Sequence, residues 1–128
     1  LDPERPASLS PAVVTGLLRE ELGFAGAVLT DDLTMGAVTQ SYGLGEAAVL
    51  AVEAGCDILL VCHGQDSVPA VRTALLEAVA SGRITAERLD ESVYRILRLK
   101  TEYALTNEPV SPPDLEALNA QIGAVPVQ

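Results

Sequence analysis

Asp31 and Asp32 stand side by side at the end of a short apolar run, Ala27-Val28-Leu29-Thr30, that is reached through Gly23 and Gly26. Leu33-Thr34-Met35 follows at once. A run of this length, bounded by glycines, has the pattern of a buried parallel strand. Its C-terminal tip is where α/β folds keep their chemistry, so a carboxylate delivered there is a candidate reactive group. A carboxylate pair at a strand tip also suits Mg²⁺, as in small doubly wound receiver-like modules. The conformational alternative stands beside both: Asp caps turns and helix starts, and the pair would then only begin the next segment.

The elements that must carry these acids are legible from spacing. Ser10-Pro11 starts a helix, with a capping hydroxyl ahead of a proline at the first helical position. Val13, Val14, Leu17, Leu18 and Leu22 continue it at helical spacing up to Gly23. The first strand is expected over residues 27–30, a loop from Gly36 to Gly45, and a small-residue helix from Glu46 to Ala54 that ends at Gly55. A second strand runs from Asp57 to Cys62, followed by the loop His63-Gly64-Gln65-Asp66-Ser67. A helix over Val68–Ser81 shows Val71, Leu75 and Val79 on one face. Thr85 caps a last long helix with Leu89, Val93, Ile96 and Lys100 along one side, and Glu91 and Arg95 make a favourable i,i+4 pair. Pro109, Pro112 and Pro113 mark a linker before a weak helix over 114–122. This order is the rhythm of parallel βα units. Two strands are fewer than a covered parallel sheet needs, so the fold class is α/β with strands missing.

Composition narrows the function classes. The chain has 128 residues, 48% hydrophobic and 20% charged, which describes a folded domain. Its aromatics are Phe24, Tyr42, Tyr94 and Tyr103, so the core is built from Ala, Val, Leu and Ile. Stacking platforms for bases are scarce and a formal charge of −10 repels phosphate backbones, which argues against nucleic acid. No apolar run approaches the roughly 20 residues of a membrane span, and the amino terminus lacks the layout of a secretion signal. It opens without Met, as a cut piece of a longer chain does. Cys56 and Cys62 flank an extended run and lie about 20 Å apart at ~3.3 Å per residue. That is too far for a disulfide, so buried free thiols in a reducing, cytoplasmic compartment are expected. His63 is the only histidine, and no Cys/His group has zinc spacing. No cofactor or metal is expected.

Beyond these properties, Leu17-Leu18-Arg19-Glu20-Glu21-Leu22-Gly23-Phe24-Ala25-Gly26, running into Leu29-Thr30-Asp31-Asp32-Leu33-Thr34-Met35, resembles the nucleophile region of glycoside hydrolase family 3. The similarity is greatest to its bacterial β-N-acetylglucosaminidase branch. It continues through Ala51-Val52-Glu53-Ala54-Gly55-Cys56-Asp57-Ile58-Leu59-Leu60-Val61-Cys62. It closes on Arg88-Leu89-Asp90-Glu91-Ser92-Val93-Tyr94-Arg95-Ile96-Leu97-Arg98-Leu99-Lys100. The resemblance implies a partial (β/α)8 TIM-type barrel, with the two strands as its seventh and eighth. Residues 1–105 would be the C-terminal part of that barrel, and residues 106–128 a Pro-containing linker with a weak helix. It further implies a retaining hydrolase of β-linked N-acetylglucosamine-type sugars of the cell-wall kind, with Asp31 as nucleophile through a covalent glycosyl-enzyme.

Retention needs a second catalytic group, about 5–5.5 Å from the nucleophile when both are carboxyls. In the family branch this is a His-Asp pair on an upstream loop, and a substrate-binding Lys-His motif is upstream too; neither is in this chain. Asp32 is a poor stand-in, because adjacent strand residues point to opposite faces. His63 sits just past the second strand, within reach of the same rim, with a solvent-facing loop histidine as the plainer reading. The chain is therefore expected to be inactive alone, and its open strand edges are expected to drive self-association. A non-catalytic piece that completes a barrel with another chain remains open at this stage.

Overall fold

The computed structural model describes residues 2–109 and 111–124; residues 1, 110 and 125–128 of the segments named above lie outside the described residues. A 3₁₀ turn, Ala7–Leu9, leads into a first helix over Ala12–Glu21. Ser10 starts that helix as its hydroxyl suggests, since its Oγ accepts the Val13 N–H at 3.4 Å. The helix is wound wide, as a π-helix, and ends with the Leu22 N–H bonded to the Leu17 carbonyl five residues back at 2.9 Å. Strand β1 (Leu29–Asp32), a short helix α1 (Gly36–Thr39) and helix α2 (Leu44–Ala54) follow. Strand β2 (Ile58–Leu60), α3 (Ser67–Ala80), α4 (Ala86–Glu102) and α5 (Leu115–Gly123) complete the order. β1 and β2 pair in parallel as a two-stranded sheet in an otherwise helix-rich α/β arrangement.

Some boundaries differ from the sequence reading. β1 begins and ends two residues later than expected, so Asp31 and Asp32 are strand residues and not the start of the loop. The segment from Gly36 is not wholly loop, because α1 forms there. β2 stops at Leu60, short of Cys62, whose N–H is taken by the Asp32 side chain instead of a strand carbonyl. Cys62 is exposed, correcting the expectation that both thiols are buried; Cys56 is buried, and both are free.

The core is aliphatic and α2 is its centre. Ala47, Ala48, Val49, Leu50, Ala51, Val52 and Ala54 are all buried, leaving α2 almost no solvent face. Leu9, Val14, Leu33, Val38 and Cys56 close around it, with Leu59 of β2 and the strand-flanking Val28 and Val61 packed against them. Small residues permit this closeness. A Cβ added at Gly45 would lie 2.8 Å from the Ala74 Cβ, so α2 and α3 touch backbone to side chain there. α2 ends at Gly55 in the left-handed conformation (φ +113), and a side chain at that position would also meet Thr15 Oγ1 at 2.7 Å.

α4 buries a polar face. Its apolar residues Val93 and Leu97 are exposed, whereas Ser92 is buried and Arg88 and Arg95 are turned inward. All three meet Asp57, whose carboxylate is wholly buried. Asp57 Oδ1 accepts from Ser92 Oγ at 2.7 Å, Arg95 Nη1 at 3.1 Å and Arg88 Nη2 at 3.4 Å. Oδ2 accepts from Arg19 Nη2 at 2.7 Å and from the Val28 N–H at 2.9 Å. Two of the guanidiniums also reach backbone carbonyls, Arg19 those of Gly55 and Gly26 and Arg88 those of Val52 and Cys56, while Arg88 Nη1 donates to Ser92 Oγ and Arg95 Nη2 to Glu91. Burial opposes the charge on Asp57, but the Val28 N–H, Ser92, Arg95 and Arg19 together hold its pKa below the ordinary carboxylate value.

A buried carboxylate facing guanidiniums is costly to break from one side, on the order of 3–5 kcal/mol. Asp57→Ala is expected to lower stability by about that amount in urea unfolding, because it strands the buried arginines. Glu46→Ala, which breaks an exposed pair with Arg83, should cost far less. Equal losses would remove Asp57 from its central place. Because the folded pKa is depressed, this stabilisation is complete above the unfolded value of ~3.9 and is lost as pH falls through the folded value. The gap between wild type and Asp57→Ala therefore narrows in acid.

Candidate active site

The C-terminal ends of β1 and β2 bring Asp31, Asp32, Thr34, Cys62 and His63 to one rim. Exposure alternates along β1: Leu29 exposed, Thr30 buried, Asp31 exposed, Asp32 half-buried. The two acids thus sit in different surroundings, one exposed and one half-buried.

Their environments differ in kind. Asp32 is saturated with donors: Thr34 Oγ1 at 2.6 Å and the Cys62 and Thr34 N–H groups at 3.0 Å each. The Thr34 hydroxyl first, then these two amides, hold its pKa down to about 2, with His63 adding a smaller attraction. It is a fixed anion that splices the tip of β1 to the chain beyond β2. Asp31 Oδ1 accepts only the Asp32 N–H, at 2.8 Å, among the described residues, and the side chain opens to solvent. One acid is held by its neighbours and the other is open to solvent.

His63 reaches the rim but engages the structural acid, with Nε2 3.7 Å from Asp32 Oδ2 and a side chain 81% exposed. Partial desolvation, then the charges of Asp32 and Asp31, push the Cys62 thiol's pKa up, away from the thiolate. Among the described residues no group of three or more His, Cys, Asp or Glu is arranged to hold a metal ion, and no helix is long and apolar enough to cross a membrane.

A groove of about 720 Å³ lies away from the acids, along β2 between α3 and α4, where Ile58, Leu60, Leu75, Val79, Leu89 and Ile96 line it. Sequence reading missed Thr30 and Thr34 as partners of this rim, and Asp57 with its arginines at the opposite strand ends. Two signals were present for the latter. Seven of the eight basic residues are arginine, the cation suited to buried pairs. Arg88, Ser92 and Arg95 also repeat at helical spacing on one face.

The sequence matches the family described as "Glycosyl hydrolase family 3 N terminal domain" over residues 1–99. A β-hexosaminidase of Alkalilimnicola ehrlichii is 46% identical over 66 residues, 52% of this chain and 19% of the relative. One from Nitrosomonas eutropha is 33% identical over 102 residues, 77% of this chain and 29% of the relative. Among solved structures, a family 3 β-N-acetylglucosaminidase from Paenibacillus sp. superposes with a TM-score of 0.81 at 49% identity, covering 87% of this chain and 21% of that one. The chain thus spans between about a fifth and a third of the length of these relatives. With its parallel strands, flanking helices and rim acids, the chain belongs to glycosyl hydrolase family 3, as part of that family's TIM-type barrel domain.

Proposed function

We propose that this chain supplies the nucleophile-bearing part of a retaining glycoside hydrolase that removes terminal β-linked N-acetylglucosamine-type sugars. The solved relative from Paenibacillus is named a β-N-acetylglucosaminidase, and the curated relatives are named β-hexosaminidases. The observation that carries the residue assignment is the division of labour at the rim. Asp32 is saturated and fixed, while Asp31 presents a carboxylate to solvent from the strand tip.

In this reading an Asp31 oxygen attacks the anomeric carbon as the bond to the leaving oxygen breaks, and a general acid protonates that oxygen. The resulting glycosyl ester on Asp31 is then hydrolysed by water, with the same group acting as base. The general acid is expected from outside these residues; His63 is turned to Asp32. β1 and β2 take the places of the seventh and eighth barrel strands. A cytoplasmic setting belongs to the same proposal, since Cys56 and Cys62 are both free and reducing conditions keep such thiols unpaired.

Three outcomes test the reading. When residues 1–109 replace the matching segment of the Paenibacillus enzyme, Asp31→Asn should lower turnover of an aryl β-N-acetylglucosaminide by several orders of magnitude, and Asp32→Asn distinctly less. Near-normal turnover in the Asp31→Asn graft would sink the assignment. The 128-residue chain by itself should show no such turnover, because general acid–base help alone is worth roughly 10²–10⁴ in rate. Turnover that depends on Asp31 in the purified chain would contradict this and point to His63. The isolated chain should also self-associate, because a two-stranded sheet leaves open edges and Leu29 and the β2 groove leave apolar surface uncovered. Light scattering at micromolar concentration reads this out, and a sharp monomer peak with cooperative unfolding would refute it.

A further inference from the structure

β1 is not a regular strand where it carries the acids. Its pairing with β2 places Leu29 opposite Ile58 and Asp32 opposite Leu60, so three steps along β1 match two along β2. One extra residue is therefore held in β1 between these points, which is a bulge. Bulges bend a strand and re-aim a side chain, and this one encloses Thr30 and Asp31.

Side chains on both flanks of Asp31 hold the bulge to β2. Before it, the buried Thr30 Oγ1 accepts the Leu60 N–H at 3.0 Å. After it, Asp32 Oδ1 accepts the Cys62 N–H at 3.0 Å, beyond the last ladder residue, and Oδ2 accepts the Thr34 hydroxyl at 2.6 Å. The ladder resumes with the Leu33 N–H on the Leu60 carbonyl at 3.0 Å. Thr30 is buried and Asp32 half-buried, whereas Asp31 between them is exposed. The backbone that carries Asp31 is thus pinned one residue before and one residue after it. Asp32 adds a direct contact, because its own N–H donates to Asp31 Oδ1 at 2.8 Å.

We propose that Thr30 and Asp32 are positioning residues for Asp31, each accepting a backbone N–H of the β2 arm so that the bulge aims the Asp31 carboxylate out of the sheet. The inference rests on the reading of Asp31 as nucleophile. A threonine is suited to the first place: its β-branch fits a buried strand, and its oxygen serves an amide that a valine of the same shape would leave without that acceptor. An aspartate is suited to the second because it takes several donors at once. Displacement of a reacting group by about 1 Å can cost on the order of 10²-fold in rate.

The test uses the same graft into the Paenibacillus enzyme and an activated aryl β-N-acetylglucosaminide in excess, followed through the pre-steady-state burst of the first turnover. The burst amplitude counts competent sites, and the burst rate reports how those sites are aimed. Thr30→Val is expected to lower the burst rate and kcat by ~10²-fold with KM and amplitude little changed, and Thr30→Ser to restore most of the rate. Asp32→Asn, which keeps one acceptor oxygen, should lose about tenfold in rate, also without loss of amplitude. It remains informative if Thr30→Val does not fold. A Thr30→Val protein with unchanged rate, a Thr30→Ser protein as slow as Thr30→Val, or losses confined to amplitude would overturn the positioning role while leaving Asp31 as nucleophile. Activity surviving in Asp31→Asn would overturn the nucleophile reading and this inference with it.

Discussion

The structure depends on one buried anion. Asp57 collects its donors from three separate parts of the chain: Arg19 of the first helix, the Val28 amide just ahead of β1, and Arg88, Ser92 and Arg95 of α4. Hydrophobic burial alone would not fix these parts to one another, because it is non-directional and tolerates sliding. A carboxylate with each oxygen committed to particular donors does not tolerate it. α4 feels this most, since its buried face is the polar one and its attachment runs through Asp57 and two backbone carbonyls. The ordinary reason to avoid a buried charge, its desolvation cost, is offset here by complete partnering; no buried side-chain N or O among the described residues lacks a hydrogen bond.

This anchor bears on chemistry at the other end of the same strand. Val28, whose amide is fixed by Asp57, is three residues before Asp31, and its carbonyl accepts the Asp57 and Ile58 amides at 2.8 and 3.1 Å. The start of β1 is therefore set in register with β2, and the bulge displaces only what comes after. In barrels the N-terminal ends of the strands serve stability and the C-terminal ends serve chemistry. Here each end has its own aspartates, told apart by environment. Asp57 is enclosed by guanidiniums, Asp32 is saturated by a hydroxyl and two amides, and Asp31 is left open.

What the sequence made legible follows from which signals are local. The strand leading to the acids, the helix ending at Gly55 and the helix begun by Thr85 each carry their own periodicity and caps, and all three stand in the structure. The delivery of Asp31 and Asp32 to the tip of a strand also follows from local pattern. The bulge does not, because it is a mismatch between β1 and β2 and neither strand reveals it by itself. The apolar line of Leu89 and Val93 suggested which side α4 would bury, but a partner far along the chain decided it. Asp57 reverses the usual preference by giving Arg88, Ser92 and Arg95 somewhere to go. Long-range polar pairing of this kind leaves only indirect signals, here a surplus of arginine and the helical spacing of Arg88, Ser92 and Arg95.

The surface left open is consistent with the same barrel logic. A parallel strand that is apolar on both sides needs cover on both. α2 and its surrounding cluster cover one side of the sheet, where Val28, Leu59 and Val61 pack. Leu29 faces outward at 52% exposure, and Ile58 and Leu60 line the groove that α3 and α4 leave beside β2. Asp31, two residues along, is exposed as well. Under the proposed function, a neighbour that covers this rim would also exclude bulk water from the carboxylate, whose charge is felt more strongly in such a medium than in water.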